Sequence, residues 1–334
     1  MKLGMDIYTV RSQGWDAFQL MDYSKQIGLD LVHFSDLSPF QSLEDDYLDR
    51  VKARADELGL VIEVGMLSIC ESATIFDRSM GSAVEQVRQM LHVADKLGSP
   101  ILRCVQGSAA DRQTELPFEG HIENTIATCR AVRSQCMDLG IKLALENHAG
   151  DFHGSELAAL IAAAGPEYVG ACIDSGNPLW AGESPFVTLD ALAPYIVTSH
   201  IRDTAVWQHK TGASVQWVAM GDGNIDIRAW AKQFIAACPN VPFSLEIITA
   251  APPRVLDYLE DDSAYWKMYP ETPAREFARF EKLVRYGEPY IRPCLTAAGR
   301  DLPPEYQAAL AVQQRIDLER SVAWCKQELG VGES

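Results

Sequence analysis

The chain has 334 residues, an ordinary globular composition and a formal net charge of −17. That charge opposes binding to a phosphate backbone, so a nucleic-acid partner is disfavoured. The absence of a basic amphipathic segment argues likewise against a membrane surface, and no apolar run approaches the ~20 residues needed to span a bilayer. The length suits one large α/β domain or two small ones, and a (β/α)8 barrel needs about 250 residues.

The N-terminus, Met1-Lys-Leu-Gly-Met-Asp6, reads as a strand and carries no signal-peptide pattern. The eight cysteines are scattered without a CxxC pair, which predicts free, mostly buried thiols and a cytoplasmic location.

The first predicted strand is Leu3 to Tyr8. Asp16 is placed to cap a helix that runs to Ile27 and stops at Gly28. Strand two is Leu29 to Phe34, followed by a helix from Leu43 to Leu58 closed by Gly59. Strand three is Leu60 to Met66. The helix from Ser82 to Leu97 has apolar residues at helical spacing and closes at Gly98. Strand four is Ile101 to Val105, and a helix from Ile122 to Leu139 closes at Gly140. Strand five is Lys142 to Leu145, running into Glu146. A short helix from Leu157 to Ala164 leads to strand six with Asp174. A brief helix near Leu189 precedes strand seven with His200. Ile225 to Ala237 is a helix, and strand eight carries Glu246.

Eight near-continuous apolar strands alternating with helices predict a parallel sheet covered by helices, closed into a barrel. No glycine-rich phosphate loop follows strand one, which argues against a dinucleotide-binding sheet. The barrel is expected over residues 1–250 and a C-terminal helical extension over 251–334, packing on the barrel or at an oligomer interface. That extension holds Tyr258, Tyr265, Trp266 and Tyr269 and a final helix from Pro304 to Leu329. Thr204 to Asn224, which contains Trp207 and Trp217, reads either as a lid or as a surface loop.

Four strand ends repeat one design, an apolar run followed by a residue able to hold a cation. Glu146, Asp174, His200 and Glu246 are separated by 28, 26 and 46 residues. A strand–helix–strand unit takes roughly 30 residues, so the first two gaps are single units and the third is a unit with an insertion. Barrels place their chemistry at this end of the strands. Three carboxylates and one imidazole suit Mn²⁺, Mg²⁺ or Co²⁺. Singly, each residue has a structural reading as an ion-pair partner or a satisfied core histidine; the set argues for a site. Glu146 and Glu246, from non-adjacent strands, form the expected acid/base pair. His148 faces the same side as Glu146 if strand alternation continues and is a further base or substrate contact. Arg202 can bind a substrate oxygen or neutralise Asp203. Asn147, Asn177 and Trp207 complete the expected substrate contacts, and His33, Glu63 and Arg103 line the pocket or pack the barrel interior.

The segments Leu-Glu146-Asn147-His148, Cys-Ile-Asp174-Ser-Gly-Asn177, Ser-His200-Ile-Arg202-Asp203, Met220-Gly-Asp-Gly-Asn224 and Ser-Leu-Glu246 resemble the sugar-phosphate isomerase/epimerase family, the xylose isomerase-like barrels. The resemblance covers roughly residues 1–250. It implies a (β/α)8 barrel with Mn²⁺ or a similar ion on Glu146, Asp174, His200 and Glu246, the two glutamates moving the proton of a keto-sugar. Related endonuclease IV-type enzymes carry a histidine shortly after the aspartate where this chain has Asn177. Other relatives are dehydratases, or larger subunits of deglycosidases that eliminate the aglycone of a 3-oxo-glycoside, including C-glycosides. The long tail leaves room for that lyase reading, with a small second subunit as partner; a homo-oligomer is the simpler expectation. A sugar-binding barrel without turnover is the alternative from another class, against which the complete ligand set argues.

Overall fold

The computed structural model describes residues 1–296 and 302–332. Seven strands come first: β1 (Leu3–Asp6), β2 (Leu31–Phe34), β3 (Val61–Ser68), β4 (Ile101–Val105), β5 (Lys142–Glu146), β6 (Val169–Asp174) and β7 (Ile196–His200). A hairpin, β8 (Asp203–His209) and β9 (Gly212–Val218), interrupts the alternation before the eighth barrel strand, β10 (Phe243–Leu245). The sheet runs β10-β1-β2-β3-β4-β5-β6-β7 with parallel pairing throughout. Backbone bonds from Ile201 N–H to the Ser244 carbonyl (2.7 Å) and from Glu246 N–H to the Ile201 carbonyl (3.0 Å) join its edges into a barrel.

Helices α1 (Ala17–Gln26), α2 (Asp45–Leu58), α3 (Ala83–Leu97), α4 (Phe118–Ala131), α5 (Arg133–Leu139), α6 (Gly154–Ala164), α7 (Pro185–Leu192) and α8 (Ile227–Ala237) cover the sheet. Asp16 caps α1 as expected, in a reciprocal box with Gln19, and Ser82 does the same for α3 with Glu85. The helix expected over Ile122 to Leu139 is two helices, because Val132 (φ −107°, ψ 4°) leaves the helical region. Strand β1 ends at Asp6 rather than Tyr8; a 3₁₀ segment from Ile7 to Gln13 follows, and the Asp6 carboxylate accepts its Tyr8 N–H at 2.8 Å.

The core lies mainly between sheet and helices, with Leu3, Met5, Val32, Phe34, Leu102, Leu143 and Trp230 fully buried. The barrel interior is different. Ile101, Ala144 and Cys172 form a small apolar plug, and above it the inward positions are polar. Strand register sets who meets whom: Asp6 is level with His33 and His33 with Glu63, while Asp174 is level with His200. A recess of about 940 Å³ at the opposite, N-terminal mouth is lined by Lys2, Glu63, Lys142 and Pro242 among others, and none of the four expected ion ligands reaches it.

After the barrel, β11 (Arg254–Leu256) joins the hairpin as the order β11-β9-β8. The stretch from Thr204 to Asn224, expected as a lid or surface loop, is therefore mostly antiparallel sheet. Helices α9 (Ala264–Met268) and α10 (Ala274–Tyr286) pack with Tyr258, from the connection after β11, in an aromatic cluster that includes Tyr265, Phe277 and Phe280. Its hydroxyls reach the loops after β5 and β6: Tyr269 donates to the Gly150 carbonyl and Tyr265 to that of Ala181. The last helix, α11 (Pro304–Leu329), lies along the Ile7–Gln13 segment. Ser12 N–H donates to Gln314 Oε1 at 3.0 Å, Thr249 to Asp317 at 2.9 Å, and Lys326 to the Gly28 carbonyl at 2.8 Å. No helix among the described residues is long and apolar enough to cross a membrane.

Candidate functional site

The C-terminal ends of β5, β6, β7 and β10 bring Glu146, Asp174, His200 and Glu246 together inside the barrel mouth, all buried. The three carboxylates each present an oxygen within 4.8 Å of the others. His200 Nδ1 lies 3.0 Å from Glu146 Oε2 and 3.4 Å from Glu246 Oε2, yet makes no hydrogen bond. A buried imidazole nitrogen that faces carboxylate oxygens without hydrogen-bond geometry forms with them a donor set suited to a divalent cation of oxygen preference. The residues present fit such an ion.

Charge here is dense. Five carboxylates (Asp6, Glu63, Glu146, Asp174, Glu246) are buried with the guanidinium groups of Arg103 and Arg202. Arg103 Nε lies 2.6 Å from Glu146 Oε2. One Arg202 nitrogen, Nη2, contacts both Asp174 Oδ2 and Glu246 Oε2. Burial alone would raise every carboxylate. At Glu146 it is overcome by Arg103 and His200, which hold the group well below the usual range. At Glu246 it is overcome by Arg202 and His200, and the group sits at about 2. At Asp174 burial wins over Arg202, with Glu146 and Glu246 adding to it, and the group is pushed up to about 7. Burial works against the charged form of His200, but Glu146 and Glu246 raise it well above the ordinary imidazole value.

His148 stands beyond the last residue of β5, so strand alternation does not orient it as expected. A turn does, with Ala149 at φ 45°. Its Nδ1–H donates to the Gly107 carbonyl at 2.7 Å, which leaves the lone pair on Nε2. Burial, assisted by Arg103, lowers its basicity below the ordinary value and keeps the ring neutral at pH 7.

Two expected substrate contacts, Asn147 and Asn177, are hydrogen-bonded within the cluster, and a third, Trp207, lies on the other face of the hairpin. Asn147 is a clamp between strand ends: its Oδ1 accepts from Asp174 N–H at 2.8 Å and its Nδ2 donates to the Asp174 carbonyl at 3.0 Å. Asn177 Nδ2 donates to Glu146 Oε1 at 3.1 Å, so it orients a ligand, although its Oδ1 is buried without a partner. Trp207 pairs with Ser214 while Trp217 pairs with Thr204, and the two-residue period of a strand puts the two indoles on opposite faces of the hairpin. Trp217 is the one that faces the site, 4.6 Å from Arg202 Cζ. Nor does Arg202 neutralise Asp203. That carboxylate takes the N–H groups of Thr204, Gly221 and Gly223 at 2.7, 3.1 and 2.9 Å, and a side chain on Gly223 would collide with it.

Sequence reasoning gave Arg103 only a lining or packing role and missed the parts of Asp6, Trp180, Trp217 and Arg254. Trp180 stacks on Trp217 at 4.0 Å, and the Arg254 guanidinium lies 4.5 Å from the centre of the Trp180 ring. In the order Arg202, Trp217, Trp180, Arg254 each indole has a guanidinium against it, and the cation–π contact to Trp217 steadies Arg202. Asp6 ends β1 as Asp174 ends β6, and that strand-end signature, shared with Glu146 and Glu246, is the signal that could have found it.

A family model described as xylose isomerase-like TIM barrel matches residues 8–267, more than three quarters of the chain. The chain is 22% identical over 212 residues to a 3-oxo-isoapionate decarboxylase of Pectobacterium atrosepticum, covering 63% of this chain and 70% of that one. Among solved structures, D-psicose 3-epimerase from Clostridium cellulolyticum H10, determined with D-tagatose, superposes with a TM-score of 0.57 at 15% identity, over 84% of this chain and 95% of that one. The IolI protein with a bound zinc atom superposes with a TM-score of 0.54 at 15% identity, over 85% and 96%. At such identities the structures speak for the fold. The extent of the family match, over a barrel closed strand for strand, settles membership: this chain belongs to the xylose isomerase-like TIM barrel family.

Proposed function

We propose that this chain is a divalent-metal-dependent enzyme that removes the proton α to the carbonyl of a keto-sugar. The observation that carries the reading is the pair Glu146 and Glu246, both held ionised by buried cations and both turned toward one imidazole nitrogen. Glu146, Asp174, His200 and Glu246 would hold the ion, which when bound supplies Lewis-acid polarisation of a carbonyl oxygen. One carboxylate takes the proton from carbon, the C–H electron pair becomes the enolate double bond, and the carbonyl electrons move onto oxygen. The partner carboxylate returns a proton to the other face, which inverts the carbon. Arg103 and Arg202 keep the pair charged, and Asn177 fixes the direction of Glu146. His148, neutral and with Nε2 free to accept, is a third base within the same mouth.

A second reading shares the intermediate. The decarboxylase relative is named for a 3-oxo acid, and loss of CO₂ from such an acid breaks a C–C bond whose electrons form the same kind of enolate. Elimination of a β-substituent, as in 3-oxo-glycoside cleavage, proceeds from it as well. Mn²⁺, with Mg²⁺ or Co²⁺ as substitutes, remains the proposed ion, and a homo-oligomer or a complex with a small second subunit the proposed assembly.

The test is incubation of Mn²⁺-loaded protein in D₂O with ketohexoses, 3-oxo-glycosides and 3-oxo sugar acids. Deuterium on the carbon next to the carbonyl supports the proposal, and the accompanying product (a stereoisomer, an aglycone or CO₂) chooses the branch. Absence of exchange with every compound, with the ion demonstrably bound, contradicts it.

A further inference from the structure

The polar interior below the ion site holds a histidine that stability does not explain. His33 is fully buried at the end of β2. Its Nδ1 lies 3.1 Å from His200 Nε2 in a hydrogen bond, and 3.4 Å from Glu63 Oε2. Its Nε2 is buried with no partner at all. Beside it, Asp6 Oδ1 is satisfied by Tyr8 N–H at 2.8 Å and by the Ser35 hydroxyl at 2.9 Å, while Oδ2 has no hydrogen bond and lies 3.5 Å from His200 Nε2.

We infer that His33, with Asp6, is a positioning residue that holds His200 by its Nε2–H and so presents Nδ1 to the ion. The inference rests on the proposed function. A neutral histidine that gives Nδ1 to a cation must carry its proton on Nε2. Of the two groups facing that nitrogen, Asp6 Oδ2 is an acceptor, and His33 Nδ1 is one in the tautomer that carries its proton on Nε2. For His33 Nδ1 to accept, its own proton must sit on Nε2, where nothing receives it. An unsatisfied buried donor is costly, and an apolar ring of similar shape would avoid the cost. The arrangement makes sense if what His33 does is fix the tautomer and plane of His200, as outer partners of metal-bound histidines do. The strand register supports it, since Asp6 and His33 are level neighbours and both face the ring of β7.

The test uses the full chain with Zn²⁺, which is diamagnetic. His33→Phe fills the same space and removes the acceptor. Its dissociation constant for Zn²⁺ is expected to rise about ten- to hundredfold, with the thermal midpoint of the ion-free protein unchanged or raised. A purely structural histidine would show the reverse, a lower midpoint with unchanged affinity. Nitrogen-15 histidine spectra of the Zn²⁺-loaded wild type should show His200 protonated on Nε2 and metal-bound through Nδ1; these spectra decide the matter if His33→Phe does not fold. A Zn²⁺ affinity within twofold of wild type, or His200 bound through Nε2, overturns the inference while leaving the proposed ion site standing. Two bound Zn²⁺ per chain, falling to one in His33→Phe, also overturns it, by making His33 a ligand. A wild type that binds no Zn²⁺ overturns both the inference and the proposed function.

Discussion

Glu146 and Glu246, a hundred residues apart in the chain, bring an oxygen to within 3.0 and 3.4 Å of the same atom, His200 Nδ1. They reach it from β5 and from the residue after β10, strands that are not neighbours in the sheet. A substrate carbon held at this mouth would therefore have a carboxylate on each of two sides. Replacing either by its amide preserves shape and removes the base. Glu246→Gln and Glu146→Gln are expected to lower kcat by about 10²–10⁴-fold, measured by α-proton exchange. Activity near that of wild type in Glu246→Gln would sink its assignment.

His148 is tied to the Gly107 carbonyl through Nδ1 and contributes no atom to the carboxylate–imidazole cluster. His148→Ala should lose activity by at least tenfold and keep its Mn²⁺, as measured by metal analysis after gel filtration. Loss of the ion along with the activity would make His148 a ligand and the proposed set wrong.

The pH dependence follows from two raised groups. Asp174, pushed up to about 7 chiefly by burial, and His200, raised by Glu146 and Glu246 against burial, must both release protons to take an ion. Affinity for Mn²⁺ should therefore weaken by about tenfold or more per pH unit below 7. Stability of the ion-free protein runs the other way. A group with a raised folded value stabilises most below its unfolded value, and that contribution is lost as pH rises through the folded one. Glu246, at about 2, is ionised throughout this window and adds no slope. The rise in Tm on adding Mn²⁺ is expected to be larger at pH 8 than at pH 6, by differential scanning fluorimetry. An equal rise at both values would contradict these assignments.

Asn147 joins the backbones of two ligand-bearing strands and is itself buried. Asn147→Ala leaves the Asp174 N–H and carbonyl without their side-chain partner, at a cost of about 1–3 kcal/mol. Chemical denaturation should show that loss. KM is expected to stay within about threefold, whereas a residue that bound substrate would raise it further.

Much of this was legible because several barrel strands in this chain are short apolar runs that stop at, or one residue before, an ionisable side chain. Glu146, Asp174, His200 and Glu246 stood out by that pattern and by their spacing, and Asp16 as a capping residue ahead of its helix. What stayed hidden depends on geometry that the alternation of residue types does not encode. Arg103 reads as a barrel-interior residue; it is level with Ala144 on β5, and only its side chain reaches forward to Glu146. Trp217 and Trp207 lie ten residues apart in one segment, and only the hairpin register tells which faces Arg202. Arg254 reaches Trp180 from the third strand of that sheet, a contact between parts of the chain more than seventy residues apart.

The central claim is that three carboxylates and one imidazole from four strand ends form one ion site. Titration of the protein with Mn²⁺, read by the electron paramagnetic resonance signal of the free aqua ion, tests it most directly. The expected result is one tightly bound equivalent per wild-type chain, with affinity reduced at least about tenfold in both Asp174→Asn and His200→Gln. A free-ion signal that rises from the first addition, or wild-type affinity in both variants, would contradict the claim.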